Sequence, residues 1–513
     1  MNRWYIKSLA ICTGLMLIIL AASCRKDFDY EPDSGNLSFS KDTVFLDTIF
    51  TNIGSATYTL KVYNKGVRDI LVPFIGLETG QNSSYRLNVD GLAGKEFTDI
   101  PLLAKDSLFV FIETTYDVAP TNQSEFLYTE NLLFGTGPNT QNVPLVTLVK
   151  DAVFLYPATQ SDGTKETLVV GQDSDGNDIR VEGFYLETEQ LLFTKEKPYV
   201  VYGYAAVPDG NTLNVQAGAR VHFHNNSGLI VESGASLHVN GSLSEDQELL
   251  ENEVIFEGDR LEPAYAKEPG QWGTVWIKSG STNNHLEHLT LKNATLGLRV
   301  EGEAPWDTPT LTLRNSQIYN SLNHNLWATS ARILAENTVL GGAGGYSFLG
   351  HVGGRYQFTH CTLANYWSNG FRTGTALALD NFEGSTTMDL EQADFINCIV
   401  DGSMSVEFSL QADARSAFNF SFRNCLLQFN SSDNSFENDP LYNFGDADRY
   451  IDVIFDSDTD FFLPFDNQFH IGSNSFAIDA ADPDIAPPIP MDIRGTDRLP
   501  NPDIGAYEFV PKN

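Results

Sequence analysis

Two histidines are the first residues whose type and spacing could do chemistry, because imidazole binds metals and titrates near neutral pH. His222 and His224 flank Phe223, and side-chain alternation along a strand would place both imidazoles on one face. Glu232 follows a short distance along the chain and could complete a metal site. Solvated histidines on the outer face of a strand are the simpler interpretation, and we favour it.

Two acidic segments carry the oxygen ligands that calcium prefers. Asp456, Asp458 and Asp460 would share a face if the chain is extended, as a cation site or, by the favoured interpretation, in a mobile acidic loop. The segment 173–178 reads Asp-Ser-Asp-Gly-Asn-Asp, but its glycine does not stand where an EF-hand loop needs it. We expect a solvated hairpin loop at 173–178, and the sequence leaves the metal content open.

Lys292 and Arg314 could supply the cations of a polysaccharide lyase, which must neutralise a uronate carboxylate and remove the adjacent proton. Each stands between a leucine and an asparagine, so we expect them to stack about 5 Å apart on neighbouring strands. Glu336 takes the same place in the next copy of this pattern. A salt ladder of little consequence is therefore the simpler interpretation.

No established catalytic motif accompanies these residues. The nucleophile elbow of α/β-hydrolases, the phosphate-binding loop and the HExxH zinc helix are all absent from the sequence. We therefore predict no catalytic residue and no cofactor. The favoured function is binding of a glycan or a protein partner without depolymerisation of polysaccharide, and a polysaccharide lyase or glycoside hydrolase is the alternative.

Tryptophan side chains could supply the stacking surface for a sugar. Five of them fall in the central part of the chain, namely Trp272, Trp276, Trp306, Trp327 and Trp367. We expect most of them to pack under loops, so the sequence does not select a binding face.

A short motif that recurs through the second half of the chain predicts the element that positions these side chains. Its copies are Leu291–Leu296, Leu313–Ile318, Ala335–Leu340, Phe358–Leu363, Phe395–Val400 and Phe422–Leu427. The first three motif asparagines, at 293, 315 and 337, lie 22 residues apart. This period is typical of one coil of a parallel β-helix, in which stacked strands bury what one strand cannot bury alone. Longer intervals later in the chain predict loop insertions.

The asparagine of the motif is expected to form a corner between two strands, because asparagine tolerates left-handed backbone. We predict one column of corner residues, in which a histidine replaces one asparagine: Asn293, Asn315, Asn337, His360, Asn397 and Asn424. The next residue is always small: Ala294, Ser316, Thr338, Cys361, Cys398 or Cys425. The three cysteines are therefore predicted to be small buried residues rather than metal ligands.

The repeat begins at Asn211 and predicts a solenoid over 211–437. Thr212–Ala219 and Gly228–Ala235 are two alternating strands, and each contains a glycine able to take positive φ. A C-terminal cap is predicted for 438–513.

The C-terminal segment carries several short motifs, namely Asn438–Tyr442, Gly472–Ala480, Asp492–Arg498 and Pro502–Phe509. It resembles the C-terminal segment of bacterial surface β-helix proteins of the choice-of-anchor Q type. The resemblance implies an extracellular or envelope protein with a right-handed parallel β-helix, and it implies no reaction.

Short β-rich runs separated by turns predict a β-sandwich over 36–150, so the whole chain is expected to be all-β. Asn52–Gly54 followed by Thr57–Val62 resembles the immunoglobulin-like modules of bacterial envelope proteins. Residues 151–210 are predicted to form a transition and the N-terminal cap of the solenoid.

The first 23 residues have the pattern of an export signal. Arg3 and Lys7 precede an apolar core, and small residues then lead to Cys24. This resembles the lipobox of bacterial lipoproteins, although Ala21 stands where leucine is usual. The resemblance implies that Cys24 is the acylated N-terminus, modified with a fatty acid such as palmitate, and anchors the protein to a membrane.

Residues 24–35 are expected to be a flexible tether. Within them Arg25–Glu31 resembles the signal that sends some Gram-negative lipoproteins to the outer face of the outer membrane. We therefore expect a cell-surface protein held by its lipid.

The charge balance excludes one class of partner. Asp and Glu number 67 against 32 Lys and Arg, which gives a formal net charge of -35. Such a surface repels nucleic acid, so we expect no nucleic-acid partner. If Cys24 is acylated, three thiols remain in the mature chain and cannot all pair, so disulfides are not the framework.

Overall fold

A computed structural model describes residues 30–117, 125–431 and 436–511. The described chain divides into two compact units, one ending at Lys150 and the other beginning at Asp151. Cys24 and the first half of the predicted tether, 24–29, lie outside the described residues. The tether prediction is wrong for its second half, because Glu31 and Pro32 form a strand that pairs with Ile70 and Leu71. No helix in the described ranges is long and apolar enough to cross a membrane.

Within the described residues 30–117 and 125–150, the first unit has eleven short strands and two 3₁₀ turns. The strands are β1 (Glu31–Pro32), β2 (Ser38–Phe39), β3 (Val44–Phe50), β4 (Tyr58–Tyr63), β5 (Ile70–Leu77), β6 (Tyr85–Val89), β7 (Leu92–Gly94), β8 (Glu96–Leu102), β9 (Ser107–Thr114), β10 (Glu125–Phe134) and β11 (Gln141–Lys150), and the turns are Gly80–Asn82 and Gly137–Asn139.

These strands form two sheets, in the orders β1-β5-β10-β11-β3, with β8 on β5, and β2-β4-β9-β6-β7. Alternate residues such as Leu60, Val62, Val110 and Ile112 are fully buried, and they join residues of the other sheet in one core. The unit is therefore two β-layers packed face to face, which is what period-2 alternation produces.

The second unit contains the remaining strands of the described chain. In chain order they are β12 (Val153–Leu155), β13 (Thr167–Gln172), β14 (Asp178–Tyr185), β15 (Leu192–Phe193), β16 (Tyr199–Val201), β17 (Tyr204–Val207), β18 (Thr212–Gln216), β19 (Arg220–Phe223), β20 (Gly228–Val231), β21 (Ser236–Asn240), β22 (Val254–Gly258), β23 (Val275–Ile277), β24 (Asn284–Glu287), β25 (Leu289–Lys292), β26 (Leu298–Glu301), β27 (Leu311–Arg314), β28 (Gln317–Tyr319), β29 (Leu326–Thr329), β30 (Arg332–Glu336), β31 (Val339–Leu340), β32 (Phe348–His351), β33 (Gly354–Thr359), β34 (Thr362–Asn365), β35 (Leu377–Asp380), β36 (Phe382–Glu383), β37 (Thr386–Thr387), β38 (Leu390–Ile396), β39 (Ile399–Gly402), β40 (Phe408–Gln411), β41 (Ser421–Arg423), β42 (Leu426–Leu427), β43 (Tyr450–Ile451), β44 (Ile454–Phe455), β45 (Phe461–Leu463) and β46 (Gln468–Ile471). Four 3₁₀ turns lie between them, at Thr188–Gln190, Pro263–Tyr265, Pro440–Tyr442 and Pro464–Asp466.

Three long sheets run the length of this unit. Sheet I is β12-β16-β19-β22-β25-β28-β31-β34-β39-β42-β44, sheet II is β13-β14-β17-β20-β23-β26-β29-β32-β35-β40, and sheet III is β15-β18-β21-β24-β27-β30-β33-β38-β41-β43. All neighbours are parallel except β13 and β14. The chain passes from sheet I to II to III in each coil, which is a parallel β-solenoid, as the repeat predicts. Parallel pairing already begins at β12, within the segment assigned to the transition.

Inward-facing side chains stack from coil to coil along the solenoid. In sheet III, Phe358, Phe395 and Phe422 are fully buried, with ring centroids 5.2 and 5.1 Å apart. Burying one such side chain contributes about 1.5–3 kcal/mol. The stack explains why the later copies of the motif all begin with phenylalanine.

The corner between sheets III and I contains the predicted column. Its members have φ between 46° and 55° and separate a strand of sheet III from a strand of sheet I: Asn315, Asn337, His360, Asn397 and Asn424. The Asn337 amide donates to the Asn315 side-chain oxygen at 3.0 Å, and the Asn397 amide lies 3.0 Å from His360 Nε2. The prediction is confirmed for these five residues.

Asn293 is wrongly placed in that column. It follows β25 and lies at the corner between sheets I and II, where Asn320 donates to it at 2.7 Å. The III–I corner of this coil is His288, with φ of 47°. Only one residue separates β24 from β25, so the same Leu-x-Asn pattern occurs one strand later than in the following coils.

The small residue that follows each of the five confirmed column members also makes a hydrogen bond. Its hydroxyl or thiol donates to the carbonyl two residues earlier, at 2.6 Å for Ser316, 3.1 Å for Thr338, 3.4 Å for Cys361, 3.2 Å for Cys398 and 3.3 Å for Cys425. All five are buried, and the cysteines are free thiols. The buried-residue prediction for the cysteines is confirmed, whereas Ala294 belongs to the other corner.

The C-terminal segment lies against the solenoid. β43 and β44 form the last strands of sheets III and I, and the chain beyond them packs along the outer face of sheet I. Asn397 exchanges hydrogen bonds with the backbone of Asp482, at 2.8 and 3.2 Å. Arg498 is buried and donates to Asn337 at 2.8 Å and to Glu508.

Candidate functional site

Lys292 and Arg314 do not form the predicted cationic pair. Lys292 ends β25 of sheet I and binds Glu257 at 2.9 Å, while Arg314 ends β27 of sheet III and binds Glu336 at 2.7 Å. The cause is the one-strand offset described above, because Lys292 is paired in register with Tyr319. The salt-ladder interpretation is confirmed for Arg314 and Glu336.

His222, His224 and Glu232 are likewise not brought together as a metal site. His222 is 5% exposed, with its Nδ1 3.3 Å from the Gly258 carbonyl, so the favoured interpretation of a solvated histidine is wrong for His222. His224 lies just after β19 and contacts Asp259 at 2.7 Å, which raises the pKa of its imidazole. Glu232 binds Lys278 at 2.9 Å. No group of three His, Cys, Asp or Glu in the described ranges could hold a metal.

Asp456, Asp458 and Asp460 satisfy backbone N–H groups instead of sharing a face. They accept from Phe429, Asp460 and Asn474 at 3.0, 2.8 and 2.9 Å, respectively. Asp456 and Asp460 have φ of 48°, so the chain is not extended there. The extended chain on which a shared face would depend is therefore not formed.

Residues 173–177 form the turn of the β13–β14 hairpin and Asp178 begins β14, so the expected hairpin loop is confirmed. Asp173 accepts from the backbone of Asp175 and Asn177 at 2.9 and 2.8 Å. The side chain of Asn177 also donates to it, and these hydrogen bonds lower the pKa of the Asp173 carboxyl.

Three of the five tryptophans are packed, although Trp272 lies in the solenoid interior and not under a loop as expected. Trp272 stacks on Phe223 at 4.4 Å between ring centroids in the solenoid interior. Trp306 donates to the Ser330 carbonyl at 2.7 Å, and Trp367 is 8% exposed. Trp276 and Trp327 differ because they are partly exposed on the outer face of sheet II.

Trp276, Arg299 and Trp327 lie on three successive coils of sheet II, and we call them the tryptophan face. They are direct partners in register in β23, β26 and β29. Their neighbours Val275 and Ile277 face inward and are fully buried, so alternation directs these three outward. The Arg299 guanidinium lies 3.9 Å from the Trp276 ring centroid and 5.8 Å from that of Trp327, within cation–π range.

A row of polar residues runs beside the tryptophan face, two positions further along each strand. It comprises Glu232, Lys278, Glu301, Thr329, His351 and Asp380. Lys278 pairs with Glu232, Arg299 with Glu301 at 2.6 Å, and His351 with Asp380 at 2.8 Å. The opposite charges within each pair balance, so the surface carries no unbalanced patch of positive charge.

A groove of about 440 Å³ adjoins the tryptophan face at the corner between sheets I and II. It is lined by Val181, Glu182, Tyr204, Asn226, Gly273, Thr274, Thr295 and Leu296. Tyr204 and Trp276 both pack against the buried cluster of Leu168, Ala206 and Ile230, so the groove and the face border the same cluster. We call it the tyrosine groove.

The polar groups of the tyrosine groove are available to a ligand. Within the described residues, the side chains of Glu182, Tyr204, Asn226 and Thr295 make no hydrogen bond. Burial raises the pKa of the Tyr204 phenol, against the opposing effect of Arg299, so the phenol is protonated at neutral pH. The groove therefore offers two hydroxyls, an amide and a carboxylate beside an aromatic surface.

Further along the face, His324 contributes a neutral ring. Burial lowers its pKa to about 4, and its Nδ1 accepts from the Tyr346 N–H at 2.9 Å. Its ring lies 5.6 Å from Trp327 in an edge-on arrangement. The aromatic surface thus continues beyond the tryptophans.

No sequence-family model and no curated protein matches this chain. Among solved structures, the catalytic domain of a GH87 alpha-1,3-glucanase variant in complex with tetrasaccharides is 8% identical, with a TM-score of 0.21, over 72% of this chain and 80% of that chain. The same kind of domain in complex with nigerose is 11% identical, with a TM-score of 0.15, over 73% of this chain and 82% of that chain. Scores this low support no argument about activity.

Proposed function

We propose that this chain is a lipid-anchored protein of the cell surface that binds a glycan without cleaving it. The observation that carries the proposal is the tyrosine groove, whose unused polar groups open beside the partly exposed Trp276. Ligand sites commonly combine an apolar or aromatic surface with a few polar groups that fix orientation. A sugar has both the hydroxyls and the C–H face that such a site would contact.

The geometry of sheet II favours an extended glycan along the solenoid axis. Neighbouring strands lie about 4.8 Å apart, close to the length of one sugar ring in an extended polysaccharide. A chain lying across β23, β26 and β29 would meet one coil per sugar. The compensated charges of the polar row and the formal net charge of -35 favour a neutral glycan over a polyanion.

The cellular part of the proposal rests on the sequence. Cys24 would be acylated, the residues between Cys24 and Glu31 would act as the tether, and the lipid would hold the protein at the outer face of the outer membrane. The same proposal has three further parts. The solenoid would wind right-handed, residues 36–150 would belong to an immunoglobulin-like class, and the C-terminal segment would be choice-of-anchor Q-like.

The test is affinity electrophoresis of the full mature chain in gels that contain neutral glucans, mannans or xylans, with pectate and alginate as anionic comparisons. We expect at least one neutral glycan to retard the protein, and Trp327→Ala to weaken that binding roughly tenfold, or about 1.4 kcal/mol. Phe371→Ala is the control, because Phe371 is 90% exposed and belongs to neither the face nor the groove. Retardation that Trp276→Ala and Trp327→Ala leave unchanged would refute the site.

A parallel assay separates binding from catalysis. The same glycans are incubated with the protein, with and without calcium, while reducing ends and unsaturated products are followed. We expect no sustained product release. Continued turnover would make the protein a carbohydrate-active enzyme and contradict the proposal.

A further inference from the structure

A second cavity lies between the III–I corner and the C-terminal segment. Its volume is about 420 Å³, within the range of small-ligand sites. It is lined by Leu243, His288, Arg314, Asn315, Glu336, Asn337, Pro488, Ile489, Pro490, Met491, Asp492 and Gly495. We call it the corner cleft, and none of its residues belongs to the tryptophan face or the tyrosine groove.

One wall of the corner cleft is polar and has unused hydrogen-bonding capacity. The Asn315 oxygen accepts from Asn337, and the Asn315 NH₂ group has no partner within the described residues. His288 Nδ1 is buried without a hydrogen bond, and burial lowers the pKa of this imidazole, which keeps it neutral. Arg314 binds Glu336 through Nε, which leaves its terminal nitrogens available.

The other wall of the cleft is apolar. Leu243 is 41% exposed and Met491 is 49% exposed, large values for side chains of this type. Pro488, Ile489 and Pro490 extend the same wall. Apolar surface opposite polar groups is the arrangement of a pocket for a ligand with two unlike sides.

The charges of the cleft are balanced rather than net positive. Glu336 holds Arg314 at 2.7 Å, and Asp492 accepts from the backbone of Arg494 and Thr496 at 2.8 and 2.7 Å. An anionic ligand would have to compete with these carboxylates. The matching ligand is therefore uncharged and carries hydroxyls on one side and a small apolar substituent on the other.

We propose that the corner cleft binds a sugar residue that carries an N-acetyl group. The sugar hydroxyls and the amide would bind Arg314, Asn315 and His288, and the acetyl methyl would pack on Leu243 and Met491. This site is separate from the one under the proposed function, and either can exist without the other.

The test uses chitotriose as the probe and cellotriose as its match, because the two share a linkage and differ in the acetamido group. Binding to the full mature chain is measured by isothermal titration calorimetry. We expect chitotriose to bind at least about tenfold more tightly than cellotriose, or about 1.4 kcal/mol. Arg314→Ala and Met491→Ser should each weaken chitotriose binding severalfold.

Leu249→Ser is the matched control, because Leu249 is 70% exposed in the same loop as Leu243 and does not line the cleft. It should leave chitotriose binding unchanged. Equal affinities for the two trisaccharides, or no chitotriose binding to the unaltered protein, would overturn the inference. So would chitotriose binding that Trp327→Ala abolishes and Arg314→Ala leaves intact. None of these results changes the expected effect of Trp327→Ala on neutral glucan binding.

Discussion

At the scale of single residues, the III–I corner depends on side chains that accept left-handed backbone and still bind their neighbours. Left-handed backbone raises the conformational free energy of most L-residues by roughly 1–2 kcal/mol, and asparagine tolerates this conformation best among non-glycine residues. Asn397 has φ of 55° and is fully buried. It also connects the corner to Asp482 of the C-terminal segment.

Replacing Asn397 with alanine should therefore destabilise the protein by on the order of 1–3 kcal/mol, because the Asp482 backbone N–H and carbonyl lose their buried partner. Asn315→Ala is the matched control, since Asn315 has the same backbone conformation but is less buried. It should cost less. The free energy of unfolding of both variants is measured in urea. Equal losses of stability in the two variants would contradict the role assigned to Asn397.

The cysteines of the small-residue column should be inert in the folded protein. Burial raises the pKa of the Cys398 thiol well above its usual value, and thiolate is the reactive form. We expect Cys361, Cys398 and Cys425 to react with a thiol reagent only after unfolding. Rapid modification of any of them in the native protein would contradict the packing described.

The sequence predicted corner residues better than binding residues, for a physical reason. A corner imposes the same backbone conformation in every coil, so asparagine and a small residue recur. Trp276, Arg299 and Trp327 are equivalent in register, but they differ in type and stand 23 and 28 residues apart. No periodic signal connects them, and Tyr204 and Asn226 of the groove were missed for the same cause.

At the scale of elements, the solenoid was predictable because short strands repeat a buried pattern. The 37-residue interval between His360 and Asn397 is explained by an insertion that contains the β36–β37 hairpin. Such insertions depend on loop sequences that carry no repeat, so their conformation could not be predicted. The one-strand offset at Asn293 shows a second limit of prediction from sequence. The I–II corner and the III–I corner both favour asparagine, so an asparagine alone does not identify which corner it forms.

Sheet II also predicts a pH effect on stability. The hydrogen bond to Asp380 raises the pKa of His351 despite partial burial. Because the folded-state pKa lies above the unfolded value of about 6.5, this pair contributes stability that is complete below that value and is lost as the pH rises through the folded pKa.

His351→Gln should therefore destabilise the protein more at about pH 5 than at about pH 9. The urea concentration at the midpoint of unfolding, measured for the unaltered protein and the variant at both pH values, gives the difference in stability. A larger loss at the higher pH would mean that His351 is not held protonated by Asp380.

At the scale of the whole molecule, the anchor is the feature that would place the two described units at a surface. Metabolic labelling with a palmitate analogue should mark the unaltered protein and not Cys24→Ala. Equal labelling of both would exclude acylation at Cys24. Protease digestion of the labelled protein on intact cells should then confirm that it faces outward, whereas complete protection would place it inside the envelope.

The most direct test of glycan binding through sheet II is oxidative footprinting of side chains on the full chain, with and without the glycan that retards it. We predict that oxidation of Trp276, Trp327 and Tyr204 falls on binding, while oxidation of Phe371, which is 90% exposed, does not change. Protection confined to side chains outside the tryptophan face and the tyrosine groove would contradict the account.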